Sequence, residues 1–551
     1  MKKNALVYLA ILIFSIIVSI PLLVPYLKTG YFPTHDGEWA VVRLSDMVRL
    51  LLDFQIPPRY SGNLNFGYGY PLFNFVYPFP YYLGSFFHLL GLGLVDSVKA
   101  VFALSIPISA FFMFLASRNI WKNDYAGVVA TVLYLYFPYR LVDLFVRGSI
   151  GESLAFAIFP IILFCISKSY ESRNRIFYLI SGALSLAILI TSHNIMAVLF
   201  LITLFIFFII DHISKKENAP KTYLFIVLFG LLLSAYFSLP ALIEKGNIVL
   251  SQIPIADRSQ FFLTLKDFIV PSWGFGVPTD RRTGFSYQIG IPFLIVISLS
   301  FGLILYNYFK KIKIDPDHKR AILLLLAIGF FVFMLFPVSS FVWRLPLLSE
   351  INFPWTVLSQ IGLLTVVLSG FIAKNRLTKY LAVFSAILAL VFYIPLAKPS
   401  EYVNRGDGFY FTNDATTTSS NELMPLWVKV HPTSRTTDKV ETVEGNAKIQ
   451  NLQFNSKKIV FNTESDSSSV VRINTIYYPG WVVLDNGKLA NIDYDNDFGV
   501  MDMEIAGGTH NISAFFSETK TRLLADMISV ITLFTLVAIL AIYTSRLFIK
   551  K

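Results

Sequence analysis

Apolar residues along this chain come in long unbroken stretches, with few of the period-two alternations of a half-buried sheet. Windows long enough to cross a hydrocarbon core, about 20 residues for a helix, fall at 5–27, 97–117, 125–140, 150–167, 176–192, 195–211, 222–243, 288–309, 321–337, 354–373, 380–397 and 523–545. Helices and closed barrels are the two structures that satisfy their own backbone in hydrocarbon, and runs of this length rule out a barrel. The stretch 71–91 is also apolar, but Pro71, Pro78 and Pro80 break any helix through it, so it is expected to lie in or re-enter the outer leaflet.

Two further patterns interrupt the spans. Over Val41–Phe54, Val41, Leu44, Val48, Leu51 and Leu52 share one side and Arg43, Asp46, Arg49 and Asp53 lie elsewhere, which predicts a short amphipathic helix on the membrane surface. From about residue 398 the chain turns to Ser, Thr, Asn, Asp and Lys, with alternating runs at 458–462, 470–474 and 481–484 and a turn signal at Asp485-Asn486-Gly487-Lys488. The resulting architecture is a polytopic α-helical membrane protein of about twelve spans. Residues 1–397 form the membrane domain, with outer loops at 28–96 and 244–287. Residues 398–521 form an extracytoplasmic β-rich domain, and residues 522–551 a final transmembrane helix with a basic tail.

Composition agrees: of 551 residues 55% are hydrophobic and 15% charged, against about a quarter charged in soluble domains. Lys and Arg gather at Met1–Lys3, Arg118–Lys122, Lys168–Arg175, Lys215–Lys221, Lys310–Arg320, Lys374–Lys379 and Arg546–Lys551, and with twelve spans all of these fall on one side. The positive-inside rule makes that side cytoplasmic, with both termini there and the β-rich domain outside the plasma membrane. The net charge of +11 follows from these loops, so it calls for no nucleic-acid partner. The single cysteine, Cys165, leaves no disulfide and no thiol-based metal site. The first span, lacking a small-residue cleavage site, reads as an uncleaved signal anchor.

Candidate chemistry gathers at the outer face. His35, Asp36 and Glu38 crowd onto a turn made by Pro33 and Gly37 directly after the first span, where hydrocarbon would exclude them. Arg140, Asp143, Arg147 and Glu152 fall at the outer end of the third and fourth spans, either as a salt-bridge network or as an arginine that holds a phosphate. His193 stands at the next outer turn, as an interfacial cap or a base. The loop 244–287 interleaves Arg258 and Arg281 with aromatic residues, as a cover over the membrane or a seat for a lipid phosphate and a sugar ring. Trp355 follows Pro354 at the start of the tenth span. Tyr68, Tyr70 and Asn74 belong to a Gly- and Tyr-rich stretch that suits an aromatic belt as well as a sugar or lipid platform.

The series His35-Asp36, Ile56-Pro57-Pro58-Arg59, Gly67-Tyr68-Gly69-Tyr70-Pro71-Leu72-Phe73-Asn74 and Tyr81-Tyr82-Leu83-Gly84, with Arg147–Glu152 and Thr191–Met196, resembles the integral membrane family labelled 6-pyruvoyl-tetrahydropterin synthase-related, over most of residues 1–400. Members of that family resemble GT-C membrane glycosyltransferases. No zinc or thiol constellation of a pterin synthase is present. The resemblance implies transfer of a sugar from a polyprenyl-phosphate donor to a glycan, lipid or protein acceptor. It implies Asp36 as catalytic base or as ligand to a divalent cation such as Mg or Mn, with His35 and Glu38 beside it. Arg147, ahead of Arg258 and Arg281, would hold the donor phosphate, and Tyr68, Tyr70, Asn74, Glu152, His193 and Trp355 would bind substrate. Relatives carry a histidine four residues after the aspartate and an arginine after Pro-Trp, where this chain has Ala40 and Thr356. A flippase or transporter, or a non-catalytic assembly protein derived from such enzymes, are the alternatives; the near absence of charge within the spans favours an outer-face site over a carrier.

Overall fold

The apolar stretches become helices that run back and forth between two ends of a bundle. The computed structural model describes residues 2–214, 216–269, 272–274, 284–399, 401–412, 414–418 and 420–549. Its helices are α1 (Lys2–Leu27), α2 (Gly37–Leu52), α3 (Leu72–Phe75), α4 (Phe79–Leu89), α5 (Leu94–Trp121), α6 (Asp124–Leu135), α7 (Pro138–Val142), α8 (Ile150–Ser169), α9 (Arg175–Ser192) and α10 (Asn194–Ile213). They continue as α11 (Ala219–Leu233), α12 (Ala235–Ile243), α13 (Leu265–Ile269), α14 (Ile291–Phe309), α15 (Pro316–Met334), α16 (Leu358–Lys374), α17 (Lys379–Tyr393), α18 (Asp407–Phe411) and α19 (Lys520–Ile549). The segment containing α16 is buried along its whole length and forms the axis of the bundle.

Among the described residues, nine helices are long and apolar enough to cross a membrane, or up to eleven when the bent pairs at 124–147 and 219–247 each count as one span. The count falls below twelve at the predicted span 321–337. That segment is a helix, α15, but Asp317, Lys319 and Arg320 occupy its first two turns and leave a short apolar run. The proline-rich stretch behaves as its prolines require: α3 and α4 have four and eleven residues and neither can span.

The basic loops meet at one end of the bundle. Lys122 pairs with Glu171, Arg320 and Lys374 share Asp317, and Tyr543 near the end of α19 reaches the Arg173 carbonyl. Tyr170 and Tyr223 both donate to Asp211 at 3.0 Å beside a small hollow of about 50 Å³ lined by Lys122, Lys216 and Arg320. The opposite end carries the turn before α2, the α9–α10 break and the β-rich domain.

That domain contains β1 (Val440–Glu444), β2 (Lys448–Phe454), β3 (Lys458–Ser465), β4 (Ser469–Ile476), β5 (Trp481–Asp485), β6 (Lys488–Leu489), β7 (Val500–Ile505) and β8 (Gly508–Phe516). All pairings are antiparallel, in a three-stranded sheet β1-β4-β7 and a five-stranded sheet β2-β3-β8-β5-β6. Alternate residues such as Ile459, Phe461, Val471, Ile473, Val483, Met501 and Ile512 are buried, as period-two strands with one covered face demand. Asn486 and Gly487 both have positive φ in the two-residue turn between β5 and β6. Among its described residues the stretch 401–439 has no ladder strand, and it runs back over the chain that follows α1, where Val403 and Tyr31 exchange backbone hydrogen bonds of 2.8 and 2.9 Å.

This covering segment alters the expectation for the amphipathic helix. Val41, Leu44 and Val48 of its apolar face are buried inside the protein while Leu52 is exposed, and its polar face is covered too: Arg43 bonds Thr417, Arg49 bonds the Phe411 carbonyl, and Asp53 accepts the Ser456 N–H at 2.9 Å. α2 is therefore sandwiched between membrane domain and outer domain, because side chains that would have faced headgroups find partners more than 350 positions away in the chain.

Buried ion pairs bolt the outer domain down. Arg59 bonds Glu518 at 3.3 Å, Asp526 at 2.8 Å and the Tyr236 carbonyl at 2.7 Å. Arg522 bonds Glu244 through Nε and Nη2 at 3.1 and 2.8 Å. Orientation is testable: a cysteine at exposed Ser468 should react with a membrane-impermeant thiol reagent in intact cells, and one at exposed Lys313 only after permeabilisation, with buried Cys165 silent. Equal labelling at the two positions would overturn the orientation read from charge.

Candidate active site

The site begins where two helix ends satisfy each other. Asp143–Arg147 forms a single π-helical turn that closes at Gly148, and such an end leaves carbonyls without intrahelical donors. The chain entering α2 has the complementary shortage of acceptors. His35 N–H donates to the Val146 carbonyl at 3.0 Å and Asp36 N–H to the Arg147 carbonyl at 2.8 Å. Glycine is required on both sides of this contact. Gly148 has φ +65°, and a Cβ there would stand 2.1 Å from Thr34 Oγ1; one on Gly37 would stand 2.2 Å from the same atom.

Asp36 is thus the residue before α2, at the positive end of its dipole. Among the described residues its carboxylate has no hydrogen bond or ion pair, while it lies close enough to Arg147 to interact with it electrostatically. Arg147 is held from behind. Its Nη1 bonds Glu152 in a short contact, reaches Tyr139 Oη at 3.2 Å and stands 3.6 Å from Asp143. Tyr139 in turn donates to Glu152 Oε2 at 2.8 Å, and the guanidinium lies over the Trp355 ring at 4.7 Å. Its Nε and Nη2 carry no hydrogen bond among the described residues. One edge of the fork is fixed and the other is open.

His193 closes the far side. It breaks α9 from α10 and caps the second by accepting the Met196 N–H at Nδ1, 3.2 Å. Burial pushes its imidazole down to about 4 against the pull of Glu152, so it is neutral at pH 7. With Nδ1 accepting, the remaining proton is on Nε2, which faces Glu152 Oε1 at 3.7 Å. Tyr77 packs on this ring at 5.0 Å, and the close approach of Gly151 to Tyr77 and to the Ser192 carbonyl leaves no room for a Cβ. The Trp355 indole N–H is buried without a partner. His35 contributes its backbone clamp, and its ring is 6.1 Å from that of Phe285, which packs edge-on to Trp355 at 5.1 Å.

Asp36, His35, Arg147, Glu152, His193 and Trp355 therefore come together as the sequence suggested, and Glu38, Asn74, Tyr68, Tyr70 and Arg258 do not. Glu38 is held by Arg405 at 2.7 Å. Asn74 is fully buried and donates to Glu244 at 2.8 Å, a joint in the frame. Tyr68 is nearly buried against Phe498 of the outer domain and accepts the Ile476 N–H at its carbonyl. Tyr70 is fully buried, with its hydroxyl 2.9 Å from Thr417 Oγ1. Arg258 spends its guanidinium on the carbonyls of Ile351, Trp343 and Ser349 at 2.7, 3.3 and 2.6 Å, so it is a brace for the loop before α16. Arg281 lies outside the described residues. The expected cation ligation at Asp36 is not matched either. Among the described residues no three His, Cys, Asp or Glu side chains form a metal-binding group, and an unaccompanied carboxylate beside a guanidinium is a poor donor set for Mg or Mn, which take several oxygens.

A family model described as 6-pyruvoyl-tetrahydropterin synthase related domain, membrane protein, matches residues 73–400, more than half of the chain. The chain belongs to this family. The match includes Arg147, Glu152, His193 and Trp355 and begins after Asp36. An uncharacterized protein of Lactococcus lactis subsp. cremoris (strain MG1363) is 23% identical over 274 residues, 47% of this chain and 43% of that protein. Among solved structures, the fold is similar to the archaeal oligosaccharyltransferase AglB from Archaeoglobus fulgidus in complex with an inhibitory peptide and a dolichol-phosphate. That pair has TM-score 0.44 and 12% identity, covering 77% of this chain and 62% of that one. It is also similar to ArnT from Cupriavidus metallidurans bound to undecaprenyl phosphate, with TM-score 0.39, 13% identity and 70% of each chain covered. This chain thus spans less than half the length of its curated relative and about six-tenths of AglB.

For this member of the 6-pyruvoyl-tetrahydropterin synthase related family, sequence reasoning missed Tyr77, Tyr139 and the Gly148–Thr34 contact. Tyr139 stands next to Arg140 in the cluster already singled out, and that adjacency was the available signal. The contact yields a prediction. Gly148→Ala changes no functional group, but an alanine in the left-handed region costs about 1–2 kcal/mol and also meets Thr34, so the thermal midpoint in detergent should fall. Thr34→Ala in the same chain should restore part of that loss. Strict additivity of the two substitutions would show that the turns do not press on each other.

Proposed function

We propose that this protein is a GT-C-type membrane glycosyltransferase that moves a sugar from a polyprenyl-phosphate donor to an acceptor hydroxyl at the extracytoplasmic face of the plasma membrane. Both termini are on the cytoplasmic side in this reading, and the product is a cell-surface glycan or glycoconjugate. The observation that carries it is the placement of Asp36, whose carboxylate has no hydrogen bond or ion pair among the described residues, near Arg147, brought there by the clamp between the α2 entrance and the π-helical turn.

In the reaction the acceptor oxygen forms a bond to the anomeric carbon while the bond from that carbon to the phosphate oxygen breaks. Asp36 takes the hydroxyl proton as general base. The electron pair remains on the departing polyprenyl phosphate, and Arg147 receives the growing negative charge through Nε and Nη2, a fork that matches two phosphate oxygens. Glu152 and Tyr139 hold Nη1 so that the fork does not turn during the step. The Trp355 ring carries its face, and the unpartnered indole N–H adds a donor near the phosphate. No step passes through a metal ion.

Two substitutions test this. With purified full-length protein and a polyprenyl-phosphate sugar, Asp36→Asn should lower transfer by roughly 10²-fold or more while leaving the fold intact. Arg147→Lys, which retains charge and loses the fork, should weaken donor binding. Full transfer by Asp36→Asn would reduce Asp36 to a turn residue and leave the flippase and assembly readings standing.

A further inference from the structure

Asp36 shares two neighbours with a second guanidinium, that of Arg43: Tyr77 and Tyr81 sense both charges. Arg43 lies two turns along α2, and it faces the hydroxyls of Tyr77, Tyr81 and Tyr70 rather than any carboxylate. Tyr77 and Tyr81 are stacked, with ring centres 6.4 Å apart and planes 11° from parallel, and both also sense the charge of Asp36. Among the described residues Arg43 has no ion pair. Its Nε bonds Thr417 Oγ1 at 3.1 Å and its Nη2 bonds the Thr417 carbonyl, and the Tyr81 hydroxyl is its remaining hydrogen-bond neighbour. A half-buried guanidinium that protein carboxylates do not neutralise carries an unrecovered desolvation cost, which a bound anion offsets.

The surroundings of the two guanidinium groups differ in origin. Arg147, Glu152, His193 and Trp355 belong to membrane helices and their ends, whereas the Arg43 side is completed by Thr417, from the segment that leads into the outer domain. A lipid-borne donor reaches the first from the bilayer; an acceptor enters at the second. Resting on the reading above, we infer that Arg43 forms an anion subsite for the acceptor, and that the acceptor is a phosphate ester bearing a free hydroxyl. The phosphate sits against the Arg43 guanidinium beside the Tyr81 hydroxyl, the stacked tyrosines flank the carbon skeleton, and the hydroxyl is presented to Asp36. The phosphate is that of a lipid headgroup or of a soluble or polymeric ester.

The test uses full-length protein in detergent saturated with undecaprenyl phosphate, titrated calorimetrically with sn-glycerol 3-phosphate and, as the neutral control, glycerol. Wild type should bind the phosphate ester and not glycerol. Arg43→Gln should weaken that binding about tenfold or more, the scale of one hydrogen bond to a charged group, and leave undecaprenyl phosphate affinity within about twofold. Arg43→Lys, the milder change in case the glutamine variant does not fold, should weaken it severalfold and keep the preference over glycerol. Nanodiscs of phosphatidylglycerol that compete with the probe, where phosphatidylcholine nanodiscs do not, assign the phosphate to a lipid headgroup; absence of competition assigns it to a soluble or polymeric ester. No binding of glycerol 3-phosphate by wild type, equal binding of glycerol, or wild-type affinity in both Arg43 variants overturns the inference and leaves the proposed function in place. Failure of undecaprenyl phosphate to bind wild type overturns the proposed function instead.

Discussion

Two backbone hydrogen bonds, from His35 and Asp36 to the carbonyls of Val146 and Arg147, hold the first outer loop on the membrane domain. Each is worth about 1 kcal/mol net, and together they satisfy four backbone groups at two helix ends. The contact exists because two helix ends have opposite shortages and opposite dipole ends, so joining them satisfies both. Everything that gives the site its character is downstream of this junction: the distance of Asp36 from the guanidinium, the left-handed Gly148, and the direction in which α2 leaves carrying Arg43.

Arg147 shows how a charge is kept available at the edge of hydrocarbon. Asp143 and Glu152 are both buried and only one guanidinium stands within ion-pairing distance of them, so its neutralisation is shared, with Tyr139 and Ser153 completing the shells. Removing one partner of such a buried pair costs about 3–5 kcal/mol, which pins the arginine against rotation. Among the described residues all of its hydrogen bonds run through Nη1, so rigidity is obtained with the Nε and Nη2 edge left open.

Much of the scaffold was legible in the sequence because it depends on local pattern. Apolar length announced the spans, prolines excluded 71–91, and alternation with an Asn-Gly turn announced the two sheets. The cluster from Arg140 to Glu152 was visible because it is compact in sequence. What stayed hidden depends on partners far along the chain: Glu38 with Arg405, Asn74 with Glu244, Arg49 with Phe411. A polar residue in an outer loop looks alike whether its partner is a substrate or a carbonyl hundreds of residues away. Arg258 is the clearest case, since basic residues among aromatics suit a phosphate, yet three carbonyls take its donors. The predicted span at 321–337 is missing from the candidate spans for a local reason, the charges in the first turns of α15.

The ion pairs at the foot of the outer domain have a consequence in time. Arg59 and Asn74 are among the first outer residues to leave the ribosome, yet Arg59 meets Glu518 and Asp526, and Asn74 meets the Glu244 that Arg522 also grips. Local helices insert as they emerge, whereas contacts between distant positions wait for the later partner to be made. A nascent chain therefore carries Asp36 and Arg147 in the membrane long before the arginine at position 59 finds its anions and Thr417 arrives over Arg43. The last helix is in this sense a latch, and a chain truncated before it leaves the first loop unlocked however well its spans have inserted.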